Sequence, residues 1–70
     1  MSDKKLASEA CDEGFQDGVQ KMVEVLLQGW IIAKTQTERK QVAQRFQNGL
    51  VLYKEAYHSA QQAINEVFAE

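Results

Sequence analysis

Glu55-Ala56-Tyr57-His58 is the one stretch of this 70-residue chain whose residue types and spacing suggest bond chemistry. A glutamate and a histidine three residues apart form the Glu-x-x-His pair that carboxylate-bridged dimetal bundles place on two of four helices, the other two helices each adding one glutamate. Glu24 could be that glutamate, and two copies of the chain would then hold the full set of four glutamates and two histidines. Helical geometry opposes this. At about 100° per residue, Glu55 and His58 point about 160–220° away from the stripe through Val42, and Glu24 points about 180° from Phe15. Ligands in such bundles project inward, and two fixed positions in four recur by chance in helices. The three residues are read as a solvated face, with a dimetal carboxylate bundle as the alternative and no cofactor expected.

The remaining chemistry-bearing types are sparse. Cys11 is the single cysteine, so it has no internal disulfide partner. No histidine or basic residue stands beside it in sequence to lower its pKa, which suits a small buried hydrophobe better than a nucleophile. No serine nucleophile elbow, glycine-rich phosphate loop or zinc-ligand spacing is present. The sequence is read as non-enzymatic.

Charge is more informative. Residues 1–24 hold six acids against three lysines, whereas Lys34 to Arg45 hold four bases against Glu38 alone, inside a net charge of −2. Glu9, Glu13 and Asp17 recur four residues apart and repel one another by a few tenths of a kcal/mol per pair, a cost that a basic counter-surface would remove. Arg39 and Lys40 oppose the macrodipole at the start of the second helix. These five residues are the candidate partner surface. Two hairpins associating antiparallel would cancel the gradient within a dimer. Presentation of the basic turn to a nucleic-acid backbone is a third reading, weakened by the absence of a basic excess and of an aromatic stacking platform.

The elements that must position these residues are helices. Proline is absent, 44% of residues are hydrophobic, and strand alternation never persists. Phe15, Val19, Met22, Leu26, Gly29 and Ala33 step by four and three residues, which is a heptad seam. The second seam runs through Val42, Phe46, Gly49, Tyr53, Ala56, Ala60, Ile64 and Val67. Ser2 or Asp3 can cap the first helix, and Thr35 with Glu38 form the T-x-x-E of a capping box for the second. The spacing predicts helix 1 over about 4–34, with a candidate break at 13–18 where Gly14 and Gly18 fall, a turn at 35–36, and helix 2 over about 36–68. So short a connection folds the helices antiparallel. Folding there sets residue i against residue 71 − i, aligning Gly14 with Tyr57, Gly18 with Tyr53, Met22 with Gly49 and Gly29 with Val42, small against large at each level.

Eight of the eleven residues from Val23 to Ala33 are apolar and point around most of the helix, so one neighbouring helix cannot cover them. A chain this short buries only about 60% of its unfolded surface, and oligomerisation is the remaining staple. The fold class expected is all-α: one helical-hairpin domain assembling as a homodimeric four-helix bundle. Val23, Leu26, Leu27, Trp30, Ile31 and Ile32 are the expected interface, carrying self-association or else the docking of a partner helix. A patch at Val51 and Leu52 is a further contact candidate. The apolar run is about half of what spans a bilayer, and no apolar leader core follows the N-terminus, so a cytoplasmic location without membrane is expected. The function expected is a small protein-interaction module, such as an adaptor, regulator or chaperone-like subunit.

Overall fold

The computed structural model describes residues 2–69, and within them the chain is two helices packed against each other: α1, Asp3–Ile32, and α2, Gln36–Val67. The Ser2 hydroxyl starts α1 by accepting from the Lys5 N–H at 3.2 Å. α1 then continues without interruption through Gly14 and Gly18 and stops at Ile32, two residues before the expected end. Ala33 turns into extended backbone while its N–H still reaches the Gly29 carbonyl at 2.9 Å.

The turn is fixed by its own side chains. Thr35 Oγ1 accepts from the Glu38 N–H at 3.1 Å, as a capping box requires. The reciprocal half is displaced by one residue, since Glu38 Oε2 accepts from the Lys34 N–H at 3.0 Å and not from the cap itself. The carboxylate therefore ties the preceding linker to the helix start, and the helices fold back on each other over three residues.

The seam predicted from the heptads is where the helices meet. Phe15, Val19, Met22, Leu26 and Gly29 of α1 and Val42, Phe46, Gly49 and Tyr53 of α2 are all half-buried. Three of the four expected small-to-large pairings are made: a Cβ on Gly18 would overlap the Tyr53 ring, one on Gly29 would press on Val42, and one on Gly49 would meet the Met22 methyl at 2.8 Å. Gly14 departs from the pattern, with open space where a Cβ would point. Tyr57 leans instead onto Phe15, ring centroids 4.5 Å apart, and donates its hydroxyl to the Asp12 carboxylate.

Two helices side by side make a single layer, measuring 55 × 18 × 7 Å across its Cα atoms. The radius of gyration is 16.2 Å, against about 11 Å for a compact chain of this length. The exposed surface is 5742 Å², about 1300 Å² more than a compact folded protein of 7.9 kDa shows. Among the described residues the only buried hydrophobe is Ala33, 8% exposed. None of the described helices is long and apolar enough to cross a membrane.

Candidate interaction surface

The six residues expected to form one interface divide between faces of the hairpin. Leu26 lines an open apolar cleft of about 680 Å³ between the helices, with Met22, Val25, Phe46, Leu52 and Tyr53 among its walls and Lys21 and Arg45 at its rim. This cleft shares Tyr53 and Ala56 with a second one toward the chain ends, lined by Ala7, Ala10, Cys11, Gly14 and Ala60. It shares Gly29, Val42 and Arg45 with a third toward the turn, where Ile32 stands. The three sections form one apolar trough along the length of the hairpin.

Val23, Leu27, Trp30 and Ile31 do not line that trough. Val23, Leu27 and Trp30 follow one another at four and three residues and so form a ridge on the other flank of α1. Ile31 points further outward still and is 81% exposed. The distinction between flanks is one of angle. Val25 and Ile32 sit on one side of the seam and Val23 and Trp30 on the other, so a single partner surface cannot cover both.

The ridge explains the position of Arg39. Its guanidinium carbon lies 5.6 Å from the centroid of the Trp30 ring, and its Nε is buried without a hydrogen-bond partner among the described residues. A cation over an indole face is attracted by the ring quadrupole, and its stem covers apolar surface. Arg39 is therefore half-buried and committed to Trp30, whereas Lys40 is exposed. The two basic residues expected together on the partner surface are thus placed differently, Arg39 against Trp30 and Lys40 in the open. Glu9, Glu13 and Asp17 are all exposed, as a partner-facing ladder on α1 would be.

Near the chain ends the flank opposite the trough is polar. Ser8, Asp12, Tyr57, Gln61 and Asn65 line a shallow recess, and Gln61 Nε2 donates to the Tyr57 hydroxyl at 3.0 Å. The hydrogen bond to Asp12 holds the Tyr57 hydroxyl above its ordinary ionisation range, with desolvation and the Asp12 charge adding in the same direction. A neighbouring hydroxyl, that of Tyr53, donates to the Gly14 carbonyl at 3.2 Å. These contacts lock the register of the helices.

Of the residues considered for chemistry, Cys11 lies in the trough, and Glu24, Glu55 and His58 do not line it. Glu24, Glu55 and His58 are each exposed, and the His58 ring meets Tyr57 edge-on at 6.0 Å. Within one chain, the described residues contain no group of three or more His, Cys, Asp or Glu side chains placed to hold a metal ion. Cys11 is a half-buried free thiol that shares its cleft with Ala60, the residue opposite it in the alignment, and not with His58.

No family model, curated protein or solved structure matches the chain. Its surface is thus the whole basis for a functional reading. The trough was not foreseen from sequence, because periodicity fixes the angle of each side chain but not which flank the large ones lean toward.

Proposed function

We propose that the chain is a small non-enzymatic protein-interaction module, an adaptor, regulator or chaperone-like subunit, that works as a homodimeric four-helix bundle and offers helix faces to another protein. The observation that carries this reading is the near absence of a core. Among the described residues nine large hydrophobes, including Val25, Leu27, Trp30, Ile31, Ile32 and Leu52, are 44–81% exposed, while the one buried hydrophobe is an alanine.

Area arguments support self-association. At about 25 cal/mol per Å² of apolar surface, a layer this thin recovers too little to offset the conformational entropy of ordering some 70 residues. The excess surface of about 1300 Å² exceeds the roughly 800 Å² that each partner buries in a standard interface. One face can therefore be covered by a second copy and the other still remain for a foreign helix. Trp30, Leu27 and Val23 suit the latter role, since large aromatic and branched residues carry most of the energy of such contacts.

Light scattering with circular dichroism over a wide concentration range tests the reading. The expected result is a dimeric mass at high concentration and loss of helix on dilution. A monomer that keeps full helicity at high dilution would overturn it.

A further inference from the structure

We infer that the trough is the seat of the second copy, laid face to face over the whole length of the hairpin with its turn pointing the opposite way. This rests on the dimeric reading above and adds to it the face, the direction and the register.

The footprint comes first. A face of 55 × 18 Å covers about 1000 Å², enough for the roughly 800 Å² per partner of a standard interface only if nearly the full length is used. A short overlap, in which only the two Val23–Ala33 segments meet, would leave much of the trough open. Full overlap with reversed turns places a two-fold axis at the middle of α1, level with Gly18, midway between Asp3 and Ala33. Residue i of one α1 then comes level with residue 36 − i of the other.

Charge and shape both fit that register. Lys21, on the trough rim, comes level with Phe15 of the second copy, between its exposed Glu13 and Asp17, each about 3 Å away along the axis at 1.5 Å per residue. Lys34 comes level with the acidic start of α1, within one residue of Asp3. The same rotation brings Leu26 and Val25, in the turn half of the trough, level with Ala10 and Cys11 in the half toward the chain ends of the second copy. At these levels a large side chain of one copy meets a small one of the other, while Tyr53 and Leu52, beside the axis, come level with or next to their own counterparts. Gly14 comes level with Met22, which gives a use to the one glycine whose Cβ position is empty in the single chain. With turns pointing the same way, basic would face basic and large would face large.

The register predicts a specific cross-link. Cys11 comes level with Val25 of the second copy, and both line the trough. Two Cys11 residues stand 14 positions apart, about 21 Å, far beyond disulfide reach. In a thiol redox buffer, Val25→Cys should form a covalent dimer in more than half of the chains. The unmodified chain should form none, nor should Val25→Cys combined with Cys11→Ala. A dimer by light scattering in which Val25→Cys fails to cross-link, or cross-links equally without Cys11, overturns the register and leaves the dimeric reading standing. A monomeric unmodified chain overturns both. As a second arm, Gly14→Leu adds its bulk from a Cβ position that has nothing within 4 Å in the single chain. It should raise the dimer dissociation constant at least tenfold while retaining helicity at high concentration, and an unchanged constant counts against the trough as the interface.

Discussion

At the scale of single residues, the fit between the helices depends on two tyrosines. Tyr57 donates to the Asp12 carboxylate, and this bond, ahead of desolvation and the Asp12 charge itself, raises the phenol above its usual pKa near 10. A group that ionises at higher pH when folded than when unfolded lends stability that is complete below the unfolded pKa and is lost as pH climbs through the folded one. The Tyr57 contribution should therefore hold through neutral pH and disappear only in alkali. In a Tyr53→Phe background, where the tyrosinate absorbance reports Tyr57 alone, Asp12→Asn should move the midpoint down toward the ordinary value, and an unmoved midpoint would show that Asp12 is not the cause. Tyr53 makes the other prediction. A methyl on Gly18 would overlap its ring and hydroxyl, so Gly18→Ala should cost about 1–3 kcal/mol by overpacking, even though alanine favours helix by about 1 kcal/mol. Chemical denaturation of Gly18→Ala, Tyr53→Ala and the double variant would check this, the double variant recovering the loss if the clash is the reason. The pairing of residue i with 71 − i made the contacts at Gly18, Gly29 and Gly49 legible in the sequence. It failed at Gly14, because an aromatic ring chooses its rotamer by its hydroxyl's partner as well as by the hole opposite.

At the scale of elements, the turn is where local chemistry decides the architecture. Thr35 satisfies one orphan N–H of α2, and Glu38 reaches back to the Lys34 N–H, so the three residues between the helices are held from both sides. Thr35→Ala should cost about 1 kcal/mol, read as a lower denaturation midpoint, whereas Thr35→Ser should be nearly neutral because serine caps as well. Equal losses in both variants would mean that the methyl, and not the hydroxyl, matters. The hairpin was readable because such signals are local: a T-x-x-E pair, a heptad that restarts after it, and no proline anywhere. The end of α1 was less so. Lys34 looked like a last helical residue, but the Glu38 carboxylate draws its N–H out of the helix, and Ile32 becomes the last residue in regular geometry. Continuity through Gly14 and Gly18 also could not be decided from propensity, since the Tyr53 hydroxyl donating to the Gly14 carbonyl is a contact 39 residues away in sequence. Tertiary packing of this kind overrides the roughly 1 kcal/mol that each glycine costs a helix.

At the scale of the whole molecule, the question is whether a second copy covers one of the two apolar faces and which one, and Trp30 reports on it. The indole belongs to the ridge with Val23 and Leu27, lies under the Arg39 guanidinium and is 44% exposed. Helical angle already sets Val23, Leu27 and Trp30 on one side of the seam and Val25 and Ile32 on the other, but the sequence does not say that two separate surfaces result, and all six residues read as one interface. If the dimer seats on the trough, association leaves the ridge uncovered, and acrylamide should quench Trp30 almost as efficiently in the dimer as in a dilute sample. Dimerisation through the ridge would instead reduce quenching several-fold as concentration rises. Thermal unfolding must be followed in the same samples, because a dimer gains stability by mass action: a tenfold rise in concentration adds about 1.4 kcal/mol and should lift the midpoint by about 3–6 °C. A concentration-dependent midpoint with an accessible indole would place the second copy on the trough and leave Trp30, Leu27 and Val23 for a foreign helix. A concentration-dependent midpoint with a shielded indole would assign the ridge to self-association and leave the trough to the partner.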